Sequence, residues 1–170
     1  MALETNDYRR AWAAWLPGAL PLLEAEQYAE ALATFPKPKS EPVELAPVVP
    51  FLQRRMALIT SGGFFDSQTQ APFVSRSATG DVTPRFIPVD LPDEHFGIAH
   101  GHYDEEFAQR DREVILPRRA LRAAGATLTP TIVSYMGYNV DWPTFIEATI
   151  PQIIAQLRAD RANCALLVPV

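Results

Sequence analysis

Short apolar runs separated by polar or helical stretches constrain this chain more than any other feature. Met56-Ala-Leu-Ile-Thr60, Gly97–His100, Val114-Ile-Leu116 and Cys164-Ala-Leu-Leu-Val168 are too short for core helices and suit buried strands. Between them lie helical signals. Arg118–Ala124 is a helix ended by Gly125, and Ile146, Ile150, Ile153, Ile154 and Leu157 form a helical stripe in which Pro151 either starts or kinks the ordered part. Strands alternating with helices at short spacing predict a single α/β domain with a mostly parallel sheet and flanking helices. Further short strands are read at Arg85–Val89 and Thr131–Gly137. The polar stretch Phe64–Thr79 has no clear period and is read as a loop over the site.

The α/β region is placed at 56–170, as an open sheet of the Rossmann-like or flavodoxin-like kind, incomplete at its C-terminus. Residues 1–55 are read as N-terminal helices and an arm. A helix over 5–16 would carry Tyr8, Trp12 and Trp15 on one face and stop at Pro17 and Gly18. A second is expected over Leu22–Thr34. Prolines 36, 38, 42, 47 and 50 then exclude a helix interior or a central strand and predict an extended arm.

Composition narrows the function. A net charge of −5 argues against the basic face that phosphate contacts need, so no nucleic-acid partner is expected. No apolar run reaches the ~18 residues of a membrane helix, and the N-terminus lacks the pattern of a signal peptide, so a cytoplasmic location and no membrane partner are expected. One cysteine, Cys164, leaves no internal disulfide and no cysteine-based zinc site; it reads as a strand cysteine rather than a nucleophile.

All three histidines fall within His95–His102, in the stretch HFGIAHGHYD. His100, His102, Tyr103 and Asp104 follow a strand at the end where α/β sheets place their ligands, and they are the candidate catalytic residues. Glu105 and Glu106 suit the first turn of the next helix. Ser61-Gly62-Gly63 after the first strand can offer backbone N–H groups to an anion, or be a turn that needs glycine only for positive φ. With Ser134, Met136 and Gly137 they complete the candidate substrate-binding set. Arg118, Arg119 and Arg122 read as a solvated helix face.

His100-Gly-His-Tyr-Asp104 resembles the start of the metal motif of metallo-β-lactamase-type hydrolases. That family needs a histidine where Glu105 stands and more downstream; none follows His102, and no metal is assigned. A broader resemblance runs in order from about Met56 to Val170: ALITSGGFFDSQTQAPF, GDVTPRFIPVD, FGIAHGHYD, SYMGY, PQIIAQL and CALLVPV. Together these resemble the selenoprotein B family, the selenocysteine-bearing subunits of glycine, sarcosine, betaine and D-proline reductases. The resemblance implies reductive C–N bond cleavage of a small amine or amino acid. It implies a partner subunit bearing a pyruvoyl group and a thiol or thioredoxin-type electron donor, with no cofactor in this chain itself. It also places selenocysteine or cysteine directly after the closing strand. The expectation is therefore that the product continues beyond Val170 through a UGA-encoded selenocysteine, and that this chain alone is inactive. A non-catalytic binding or assembly module of the same fold is the alternative, and a small metal-dependent hydrolase using His100, His102 and Asp104 the third reading.

Overall fold

In the computed structural model, residues 5–37 and 46–170 are described. Half of the expected proline-rich arm of 35–50, residues 38–45, lies outside the described residues. The central sheet has four strands in the order β3-β5-β1-β6: β1 is Arg55–Thr60, β3 Arg85–Pro88, β5 Thr127–Ser134 and β6 Cys164–Val168. β1 runs parallel to both β5 and β6, and only β3 runs antiparallel, against β5. The α/β reading with a mostly parallel sheet and flanking helices therefore holds. β1 reads as a near-continuous apolar run because it is covered on both faces. Between Met56 and Leu58 its partner advances from Leu128 to Ile132. This bulge surrounds Pro130, which has no N–H for the ladder.

One face of the sheet (Leu58, Ile87, Ile132, with Leu128, Leu166 and Val168 at the margin) packs against Phe64, Phe96, Ile115 and Leu116. The other, with Ile59 and Val133, packs on Ile153 and Leu157 of α6, Ile150–Ala159. A short turn of helix, α5 (Trp142–Thr144), and a wide π-turn over Phe145–Thr149 lead into α6. Pro151 comes just after the π-turn, inside a helical run that continues from Trp142 to Ala159, so it marks a change of helix type and not a start. Ile154 turns outward, 41% exposed, so the apolar stripe is narrower than its spacing suggested.

Several expectations are corrected. Gly97–His100 does not join the central sheet. β4 is Phe96–Ile98 and pairs antiparallel with β2, Phe64–Asp66, in a separate two-stranded sheet; His100 lies beyond it. The stretch read as loop thus begins with a strand. Val114–Leu116 is no strand: Arg112–Val114 is a 3-10 turn, and Ile115 and Leu116 are buried from it as plugs. Three apolar residues carry no period that could have distinguished the two. Cys164–Val168 is parallel as expected but lies at the sheet edge, with Leu167 66% exposed, rather than in the core.

At the N-terminus α1 spans Thr5–Glu24 and passes through Pro17 and Gly18, where a break was expected, and through Pro21 as well. Tertiary contacts hold it. Trp12 Nε1 donates to Val140 O at 2.6 Å, and Leu23 is 1% exposed against Ala31 and Val140. Leu22 and Leu23 belong to α1, and α2 is only Tyr28–Ala33.

The supposed solvated arginine face is also wrong for Arg118. Helix α4 is Arg118–Ala123, and Arg118 is buried. Its Nη1 donates to Val89 O and Leu91 O, both at 2.9 Å, its Nη2 pairs with Asp93, and its guanidinium lies 4.6 Å from the Phe96 ring centroid. The short stem of α4 thereby ties together the chain crossing between β3 and β4. Arg119 and Arg122 remain on the surface.

Candidate functional site

The carboxyl ends of β1, β5 and β6 lie on one side of the sheet because the three strands are parallel. Thr60 ends β1 with Ser61 directly after it, Ser134 ends β5, and Val168 ends β6. The chain beyond each strand folds over this end. Val170 N donates to Ser61 Oγ at 2.9 Å. Gly137 N donates both to Ser61 O at 2.9 Å and to His100 Nε2 at 3.0 Å. Ser61, His100 and Gly137 therefore meet at one point. A Cβ on Gly137 would lie 3.1 Å from His100 Nε2 and 3.2 Å from Ser61 Cβ, so glycine is what allows this approach.

His100 is 3% exposed. Because an amide N–H points at Nε2, that nitrogen is bare and the neutral ring carries its proton on Nδ1. Nδ1 is buried and has no hydrogen-bond partner. Burial, reinforced by the nearby His102, depresses the imidazole from 6.5 to about 4 against the opposing pull of Glu105. The ring is thus neutral near pH 7, with one nitrogen accepting and the other a donor without an acceptor.

The loop that carries it is fixed by its own residues. Glu105 Oε1 accepts from His100 N and Gly101 N, both at 2.7 Å. Asp104 caps α3 (Glu105–Arg110) by accepting from Phe107 N at 2.8 Å, a standard N-cap role that leaves it exposed. Tyr103 packs its ring 4.8 Å from that of His100 and donates its hydroxyl to Gly62 O at 2.6 Å. Burial pushes this phenol well above its ordinary range. His102 is exposed, stacked 4.2 Å from the Tyr138 ring and edge-on to Tyr28 of α2 at 5.7 Å.

The Ser61-Gly62-Gly63 turn does not present free amides. Ser61 N donates to Val168 O, Gly62 N to Thr60 Oγ1 and Gly63 N to Tyr135 O. Gly63 has φ +66°, so glycine serves the backbone here rather than an anion. Met136 is buried and bridges to Gly62. Ser134 is fully buried, on the same strand face as Ile132, and its hydroxyl has no partner.

The structure thus gathers His100, Tyr103, Ser61, Gly62, Gly63, Met136 and Gly137 around the end of β1. It sets His102 on the outer side of that cluster and Asp104 at a helix cap. Among the described residues, no group of three His, Cys, Asp or Glu side chains can hold a metal ion. The H-x-H pair could not chelate one as it stands, since His100 Nε2 is occupied by an amide donor. Cys164 is at the opposite end of the sheet, beside Met56 at the start of β1. Sequence reasoning missed Glu105 as the anchor of the loop, and Tyr28 and Tyr138 as its aromatic cover. Tyr28 comes from a helix far along the chain, and nothing local signals the contact. An open groove of about 550 Å³, lined by Ile98, Glu105, Glu106, Gln109 and Arg110, runs beside the loop that Glu105 anchors. Among the described residues no helix is long and apolar enough to cross a membrane.

Comparison with known proteins adds one relationship. The chain is 29% identical over 93 residues to the D-proline reductase subunit gamma of Acetoanaerobium sticklandii, a match that takes in 52% of this chain and 38% of that relative's length. No family model matches the chain. No solved structure matches it either.

Proposed function

We propose that this chain forms the substrate-holding part of a reductase subunit of the D-proline reductase type, acting in reductive cleavage of a C–N bond next to a carboxylate. The observation that carries the reading is the partial identity to the D-proline reductase subunit gamma. The neutral, buried polar cluster at the strand ends supports it, because ligands of α/β sheets bind there. In the reaction proposed, a thiolate or selenolate attacks the α-carbon and nitrogen leaves with the bond's electron pair. A second thiol then attacks the sulfur or selenium and the α-carbon leaves with that bond's electron pair; the α-carbon and the departed nitrogen each take up one of the protons the two thiol or selenol groups release, leaving a disulfide or selenenyl sulfide. Two thiol equivalents are oxidised for each C–N bond opened. Cys164 is too far from the cluster to be the attacking group, so the nucleophile comes from another residue or another subunit. A pyruvoyl-bearing partner that engages the amine, and a dithiol or thioredoxin-type donor, belong to the same proposal.

The placement of Cys164 also favours a second reading, a binding or assembly module that keeps the fold without the redox step. One experiment separates them. The native product of the gene is purified with its associated subunits and supplied with dithiothreitol and D-proline. The first reading expects ring-opened 5-aminovalerate in step with dithiol oxidation. No turnover in a preparation that contains the pyruvoyl subunit favours the module.

A further inference from the structure

We infer that His100 is a fixed, neutral hydrogen-bond donor whose Nδ1–H takes a carboxylate oxygen of the substrate, and that it does not carry protons in the reaction. The inference rests on the reading of the strand ends as a substrate site. Its basis is geometric. The amide of Gly137 occupies Nε2 at 3.0 Å, which fixes the tautomer and leaves Nδ1–H as the ring's only free polar group. That group is buried and unpartnered in a side chain 3% exposed. Most buried polar groups in native proteins have a partner, so a buried donor without one calls for an explanation, and at the end of a parallel strand a ligand oxygen is the one inferred here.

The groups facing the ring explain why it stays neutral and which ligand suits it. Tyr103 has committed its hydroxyl to Gly62 O. Glu105 holds the backbone of His100 and Gly101 through Oε1 and carries a negative charge. His102 is packed on Tyr138 and Tyr28. A neutral donor with an acid nearby does not suit a bare anion, but it suits a zwitterionic amino acid. The carboxylate of such a ligand accepts from Nδ1–H, and its ammonium relieves the charge of Glu105. A ligand reaches Nδ1 by moving the rings packed on His100, those of Tyr103 and His102.

The test follows the imidazole nitrogens by ¹⁵N NMR in the full chain, with D-proline, acetate and pyrrolidine as probes. The expected free protein shows a protonated Nδ1 and a bare Nε2 that do not change between pH 8 and pH 5.5. D-proline moves the Nδ1–H resonance, acetate moves it with weaker affinity, and pyrrolidine leaves it in place. His100→Gln, which keeps an acceptor for Gly137 but no donor at Nδ1, weakens D-proline binding by about tenfold or more. His100→Asn, whose amide nitrogen falls near the Nδ1 position, stays within a few-fold of wild type. An imidazole that takes up a proton between pH 7 and pH 6, with affinity following it, overturns the inference. So does D-proline binding that shifts other resonances and leaves Nδ1–H unmoved; the substrate reading then survives without His100. If acetate moves Nδ1–H and D-proline does not bind at all, the donor role stands and the amino-acid reading falls. If none of the probes binds, both are overturned.

Discussion

The depressed imidazole of His100 makes folding stability depend on pH in one direction. In the unfolded chain the group titrates near 6.5, and in the native state near 4. Above pH 7 both states hold it neutral and it contributes no pH dependence. As pH falls below 6.5 the unfolded chain takes up a proton that the native ring refuses, so the native state loses ground until the folded value near 4 is reached. Each factor of ten in this difference is worth about 1.4 kcal/mol, so His100 alone removes roughly 2.5 kcal/mol between pH 7 and pH 4.5. That is a large part of a net stability of about 5–15 kcal/mol. The perturbation is His100→Gln, which keeps an acceptor for Gly137 N–H and cannot be protonated. Urea unfolding of both proteins at pH 7 and pH 4.5 gives four free energies. Carboxylate contributions common to both proteins, such as those of Asp66 and Asp81, which the native state holds below the ordinary range, cancel in the double difference. The wild type is expected to lose about 2–3 kcal/mol more than the variant on acidification. Equal losses would show that the ring is protonated in the native state and that the tautomer assigned from Gly137 is wrong.

Two further substitutions probe what the fold depends on. Arg118→Lys keeps the charge but cannot reach Val89 O, Leu91 O and Asp93 together while stacking on Phe96, and is expected to cost about 2–4 kcal/mol in the same urea assay; a loss under 0.5 kcal/mol would return Arg118 to the solvated face. Gly137→Ala drives a methyl to 3.1 Å from His100 Nε2 and is expected to cost about 1–3 kcal/mol and to shift the His100 nitrogen resonances, whereas an unchanged Nε2 signal would show that the two groups do not touch.

Where the sequence was legible, period and burial agreed. Met56–Ile59 is apolar throughout because β1 lies between two strands with both faces covered. Helix α4 ended where Gly125 takes φ +84°. The sequence misled where tertiary contacts overrule local propensity. Pro17 and Pro21 argue for a break, yet Trp12, Leu23 and Ala31 bury enough to carry α1 through them. Arg118 resembles its surface neighbours Arg119 and Arg122 in sequence, and what distinguishes it is tertiary: the two backbone carbonyls and the Phe96 ring beneath it. In the site, residue types pointed to the HGHYD stretch but not to the roles within it. Asp104 caps a helix, Glu105 anchors the loop, and the protonation state of His100 depends on an amide 37 positions away.

The position of His100 follows from how the two sheets are joined. β4, which carries the chain toward His100, belongs to the small sheet, so nothing in the central ladder places that histidine at the end of β1. The joint is Ser61-Gly62-Gly63. β2 begins directly after it, and β4 pairs with β2, so the small sheet hangs from the carboxyl end of β1. Ala99 N donates to Gly63 O at 3.0 Å, which extends the β2–β4 pairing back to the joint itself. The turn needs φ +66° at Gly63, and a Cβ there would lie 2.7 Å from Ala99 O and 3.2 Å from His100 Cβ. The same bare backbone that makes the turn possible thus lets the strand bearing His100 close against it. Gly137 does the equivalent from the end of β5. Two glycines on separate strand ends therefore let His100 close in, Gly63 beside its Cβ and Gly137 beside its Nε2, and each backbone N–H and C=O of the joint is spent internally. What the joint leaves over is a single buried N–H on His100, together with the hydroxyl of Ser134 below it. The glycine-rich turn is the hinge pin of the site, and the chemistry it exposes is that of the histidine it positions.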